Sequence, residues 1–202
     1  MQIAKLIASL GAVSLAAMAS CGSSFAVDST NFTFAMVSAS SGVEGCLAKA
    51  AGRVTITHTV KLVENMHVEI SGLPANTDFD LFVIQVPTSP FGLSWYMGDM
   101  LTDATGVAVG DFIGRFSFGT FLVAPGVAQA PVTQTGDASS NPVTAPIQLY
   151  HLGVWFDSTA AAAKAGCSDK QTPFNSTHNA GIQALNTSNF ATLKGPLINV
   201  SQ

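Results

Sequence analysis

Four histidines, three cysteines and a thin scatter of aspartates carry whatever side-chain chemistry this 202-residue chain has. His58 falls in phase with Val54, Ile56 and Val60, so it faces the apolar side, where a hydrogen-bonded imidazole is the ordinary outcome. His67 lies on the polar face of the next stretch, beside Glu69, and reads as exposed. His151 is in phase with Leu149 and Trp155 inside an apolar run and reads as another buried ring. His178 sits in the polar segment Asn175-Ser176-Thr177-His178-Asn179. No two histidines have the short His-x-x-x-His spacing that aims both at one zinc ion. The one arrangement that would support metal or hydrolytic chemistry is a site assembled in space from His151, His178 and Asp157. It is the alternative to a chain with no catalytic residue, no metal and no cofactor.

Asp78 and Asp80 lie two apart on a strand pattern and share a face, expected to be solvated. Asp99, Asp103 and Asp111 surround a turn, and capping that turn is their expected use. Calcium requires six to eight oxygens, and no dense Asp/Asn alternation supplies them. No serine stands in Gly-x-Ser-x-Gly, and no glycine-rich loop cradles a phosphate. Trp95, Tyr96, Tyr150 and Trp155 could line a glycan- or peptide-binding surface, although core packing is the commoner use of such rings.

These residues need elements to position them, and the stretch from Val54 to Val86 is the organising one. Val54, Ile56, Val60 and Leu62 fall on one face, with Thr55, Thr57, Thr59 and Lys61 on the other. Met66, Val68 and Ile70 then alternate with His67 and Glu69, giving two half-buried strands. Phe79 to Val86 is apolar on both faces apart from Asp80 and Gln85, which predicts a central strand covered on both sides. Gly72, Pro74 and Asn76 make the turn before it. Asn31 to Ser38 alternates as a first strand, and Ala48 to Gly52 reads as a bend or short helical turn. Trp95 to Thr102 and Val107 to Phe118 predict a hairpin around Asp103 and Gly106. Thr120 to Val123 is a short strand, Pro125 to Pro146 a loop, and Ile147 to Phe156 a second strong strand. Ser158 offers a helix N-cap, Thr159 to Ala165 an Ala-rich helix and Gly166 its stop. Ile182 to Leu185 and Leu197 to Val200 are two further strand candidates.

Composition bounds the setting. Lys5 followed by the apolar run Leu6 to Ala19 reads as an export signal, too short for a spanning helix. Two processing routes stay open. Ser24-Phe25-Ala26 offers a cleavage site that releases a chain starting at Val27. Met18-Ala19-Ser20-Cys21 offers a lipobox-like site, with Cys21 lipidated. In either case Cys46 and Cys167 remain as an even pair in an oxidising compartment, and a disulfide between them is expected. The signal peptide is thus assigned to residues 1–26 and a single domain to residues 27–202. Only 10% of residues are charged. Loss of Lys5 takes the basic residues from 8 to 7 against 12 acidic ones, for a net charge of −5. That balance excludes nucleic acid and anionic membrane surfaces as natural partners. No later run is long enough to span a bilayer.

The segment VEISGLPANTDFDLFVIQV resembles the E–F corner of fibronectin type III and related immunoglobulin-like domains, which carry Leu-x-Pro-x-Thr-x-Tyr before a central strand. Leu73, Thr77 and Phe79 fall in register with it. Pro74 stands one position early, and Phe79 lacks the hydroxyl of the family's tyrosine. The Gly-Leu-Pro corner with Gly98-Asp99-x-x-Thr102-Asp103-x-x-Gly106 is similar to exported bacterial sandwich domains. The resemblance implies an all-β, immunoglobulin-like antiparallel β-sandwich, here with one short helix in the C-terminal third. The expected protein is a non-catalytic module for binding, adhesion or cell-surface assembly, secreted or held in the cell envelope. Its expected partner is an extracellular or envelope protein, a glycan or a second copy of itself.

Overall fold

Alternating apolar residues become strands wherever the sequence shows them. The structure is a computed structural model describing residues 31–39, 45–59, 63–117, 121–122, 147–172 and 180–200. The proposed leader over residues 1–26, Cys21, Val60 to Leu62, the 125–146 loop and His178 lie outside the described residues. Strands β1 (Phe32–Ser38), β2 (Ala51–His58) and β3 (Glu64–Ser71) bury Phe34, Met36, Val54, Ile56, Met66, Val68 and Ile70 on one face. Strand β4 (Asp78–Ile84) is buried at every position after its first, as its two-sided apolar pattern predicts. Strands β5 (Ser94–Leu101) and β6 (Ala108–Gly114) follow, and a two-residue pair, β7 (Phe121–Leu122) and β8 (Ile147–Gln148), forms a separate ribbon. The second strong run continues as β9 (His151–Phe156), and β10 (Gln183–Asn186) completes the set.

Every pairing is antiparallel, and eight strands form one sheet in the order β5-β4-β9-β10-β1-β2-β3-β6. The all-β expectation holds. The arrangement is barrel-like rather than two facing sheets, because β1 pairs with both β10 and β2, making the ladder continuous from β5 to β6. Twist then curls that ladder until its two edges come alongside each other. Phe79, Leu81, Leu152, Val154, Phe156 and Leu185 join the inner core. The outer faces of β4 and β9 carry a second cluster of Phe82, Ile84 and Trp155, with Phe91 packed on it. There the Trp155 ring meets Phe82 at 5.5 Å and Phe91 at 5.1 Å, both edge-on.

The structure corrects four expectations. β5 and β6 do not form a hairpin ladder: β5 pairs with β4 and β6 with β3. The turn itself is as expected, with Asp103 Oδ1 accepting from the Thr105 and Val107 amides and Gly106 at φ 78°. The 72–77 corner competes for it. Leu73 and Asn76 donate to the Gly106 and Asp103 carbonyls, and Thr102 Oγ1 donates to Pro74 O and accepts from Thr77 N. Leu197 to Val200 is a 3-10 turn over Pro196–Asn199, because Pro196 fixes a helical first position and has no amide for a ladder. The Ile147 to Phe156 run is interrupted at Leu149 and Tyr150. Asp80 is buried rather than solvated, since its central strand is covered on both faces.

The helix α1 (Thr159–Lys164) lies where expected. Ser158 Oγ accepts from Ala161 N, and Gly166 adopts φ 75°. Cys167 follows and is bonded to Cys46. No helix among the described residues is long and apolar enough to cross a membrane.

Candidate functional site

The seam between β5 and β6 is where the sheet fails to close. At the turn end the two nested connections hold it shut. Midway the Phe112 ring lies across it, so close to β5 that a Cβ on Gly98 would stand 2.9 Å from the ring. Beyond that point Met97 forms a bulge, two residues of β5 facing one step of β4, and bulges bend the strand that carries them. The edges part there over a cleft of about 230 Å³. Its floor is mostly apolar: Val83, Phe116, Leu149 and Leu197 are all buried, with Met97 beside them and the buried Ser117 as the polar residue of the lining. Its rim carries Trp95, 57% exposed, and Ile113, 69% exposed. Gly114 permits this shape, since a Cβ there would meet the Phe116 ring at 2.9 Å.

Among the described residues one charged side chain, Arg115, borders the cleft. Its position is set from behind by Glu64. The Glu64 side chain is in phase with Met66 and Val68, so it points inward and is 1% exposed. Its Oε2 accepts the Phe116 amide at 2.9 Å, and its Oε1 stands 3.6 Å from Arg115 Nη1 and 3.7 Å from His58 Nδ1. A buried carboxylate is thus satisfied by one backbone donor and two cationic or potentially cationic groups. Glu64 fixes both the aromatic floor and the basic rim. The trace it leaves in the sequence is its phase with Met66, which places an acid on the core face.

Of the residues expected to do chemistry, His151 and Asp157 are not brought together; the third, His178, lies outside the described residues. His151 opens β9 and Asp157 follows its last residue, six positions on. At a strand rise of about 3.3 Å per residue they are roughly 20 Å apart, far beyond a shared ligand. The His151 ring is committed internally. Nδ1 lies 2.8 Å from Thr187 Oγ1, and Nε2 faces the carbonyls of Thr192 at 3.0 Å and Ala191 at 3.2 Å. Carbonyls accept only, so Nε2 carries the proton and Nδ1 accepts from Thr187. Among the described residues no group of three or more His, Cys, Asp or Glu side chains could hold a metal ion. Trp155 is fully buried, whereas Trp95 stands at the cleft. Tyr96 donates to Asp99 Oδ1, and burial together with that carboxylate pushes its phenol well above the ordinary range.

His67 has partners that only the sheet register reveals. Asp111 of β6 lies opposite it, and Asp111 Oδ1 receives both His67 Nδ1, at 2.9 Å, and Asn65 Nδ2, at 3.0 Å. The bond to Asp111 raises the His67 pKa above its ordinary 6.5, while burial lowers that of His151 below the same value. The two act oppositely on stability. His67 stabilises the fold fully below about pH 6.5, and this contribution fades as pH rises through its higher folded value. It is small, because the pair is more than a third exposed and salt screens it. His151 costs nothing above about pH 7 and progressively destabilises the fold as pH falls from 6.5 towards its folded value. An NMR titration of the imidazole Cε1 protons is expected to place the His67 midpoint above 6.5 and the His151 midpoint below it. A His151 midpoint at or above 6.5 would contradict the buried, neutral ring.

No protein-family model matches this chain, and neither does any curated protein sequence.

Proposed function

We propose that the chain is a non-catalytic exported binding protein, working outside the cell or at its surface, and that the seam cleft is its binding site. The observation that carries this reading is a concave, mostly apolar floor between the edges of a nearly closed sheet, with the exposed Trp95 and Ile113 at its rim. Single exposed apolar residues are ordinary on protein surfaces, but a pair flanking an apolar concavity is the usual form of a ligand site. The cleft has room to spare. A cavity of about 150 Å³ takes a benzene molecule, and this one is larger. Export is supported by the Cys46–Cys167 disulfide, which persists in oxidising compartments, together with the export-signal pattern. The corner around Leu73 and Thr77 is anchored through Thr102, whose Oγ1 accepts from Thr77 N.

Among the expected partners, an apolar floor suits an alkyl chain or an apolar protein side chain better than a sugar. A sugar's hydroxyls would lose their hydrogen bonds there, at about 1–3 kcal/mol each. The test is to titrate decanol into isotope-labelled protein while recording amide shifts. Saturable shifts confined to residues around Val83, Met97, Phe116 and Leu149 are expected. Scattered or non-saturating shifts would remove the cleft as a binding site.

A further inference from the structure

Resting on the cleft as the binding site, we infer that it prefers a free, uncharged fused-ring aromatic molecule of the size of indole over an alkyl chain or a saturated ring. The size follows from the volume. A cavity of about 150 Å³ holds the six ring atoms of benzene, and about 230 Å³ scales to about nine, the number in indole. The aromatic character follows from the lining. Phe116 places one ring in the floor, Trp95 places another at the rim, and Met97 sets a thioether beside them. A flat ring in the cleft has both aromatic neighbours within its walls. Each edge-on or offset pair it forms is worth about two- to tenfold in binding beyond the area it buries. Sulfur adds a favourable contact of its own at a ring edge. Saturated carbon gains only the burial.

Rigidity points the same way. An alkyl chain of that size loses several internal rotations when it is held, whereas a fused ring has none to lose. Charge takes no part in the recognition. Arg115 faces Glu64, and both Arg115 and Ser117 have further partners within the protein, so neither is asked to hold a ligand head group. The ligand is a free molecule rather than a side chain of a docked polypeptide because of the bulge at Met97. An extended chain binds a sheet by pairing along a regular strand edge, and a bulge spoils the edge of β5 at the cleft itself.

The experiment titrates phenylethanol, cyclohexylethanol, indole and decanol into the isotope-labelled full chain and follows the amide shifts. The first two share one skeleton and differ only in the aromaticity of the ring. The saturated one is the more hydrophobic, so burial alone favours it. Phenylethanol is nonetheless expected to bind at least about threefold more tightly than cyclohexylethanol, and indole more tightly than phenylethanol. Trp95 is 57% exposed, so its replacement leaves the core untouched. W95L should at least halve the preference for phenylethanol while cyclohexylethanol stays within about twofold of its original affinity, and W95F, which restores a ring, should keep most of the preference. Phenylethanol binding no tighter than cyclohexylethanol, or a preference undiminished in W95L, would overturn the aromatic assignment and leave the cleft reading standing. Tighter binding of N-acetyltryptophanamide than of indole would overturn the free molecule in favour of a polypeptide side chain. Absence of saturable binding by all of these compounds would overturn both the inference and the cleft.

Discussion

Replacing Cys46 and Cys167 together by alanine is expected to lower the melting temperature by about 10–20 °C. The bond closes a loop with a sequence separation of 121. Chain entropy assigns such a loop about 5 kcal/mol, and about 2–4 °C follows from each kcal/mol in a domain of this size. The place of the bond in the sheet makes a large effect plausible on structural grounds as well. β1 and β10 meet through only two register pairs, Val37 with Asn186 and Ser38 with Leu185, the shortest ladder in the eight-stranded sheet. That junction joins the half containing β4 and β9 to the half containing β2 and β3. Cys46 lies between β1 and β2, and Cys167 between α1 and β10, so the disulfide ties the two halves beside their weakest ladder. Calorimetry of the alanine pair, with hydrogen exchange on the β1 and β10 amides, checks this. A loss under about 3 °C, with exchange unchanged in those strands, would show that the ladder holds without the bond.

What was legible in the sequence follows local periodicity. The inward faces of β2 and β3, the two-sided burial of β4 and the Ser158 and Gly166 boundaries of α1 are all set by residues within a few positions of one another. So is the turn at Asp103. Pairing partners are not local. The stretch from Trp95 to Phe118 carries every hairpin signal, yet its two strands go to β4 and β3 because Thr102 and the 72–77 corner form a tighter junction than a ladder would. Nothing near His67 announces Asp111, which arrives through register 44 residues later. The cleft was hidden for the same reason. It depends on a bulge at Met97, on Phe112 crossing to Gly98, and on two strands that separate after facing each other. In the sequence Trp95 and Trp155 belong to one group of aromatics, and only the fold separates the rim residue from the buried one. Glu64 did leave a trace, as an acid placed in phase with three core residues.

Glu64 is therefore where stability and the cleft meet, and E64L is expected to cost about 2–4 kcal/mol. Substituting an apolar residue for a buried ion is often neutral when both partners go together. Here only one goes. The Phe116 amide loses its acceptor in a buried setting, which alone costs about 1–3 kcal/mol. Arg115 loses its counter-charge, a smaller penalty because solvent reaches it. E64Q separates the two parts. Its amide oxygen can still accept from Phe116 N, so it should lose less than half as much, with most of the remaining loss coming from Arg115. Urea denaturation at pH 7 measures both variants, and exchange at the Phe116 amide should accelerate in E64L but not in E64Q. The cleft should follow the same split: E64L frees the Phe116 ring and weakens decanol binding, whereas E64Q leaves the floor intact. If E64L is as stable as the unaltered chain within about 0.5 kcal/mol, the carboxylate is not what holds Phe116 down, and the floor owes its shape to packing against Gly114 instead.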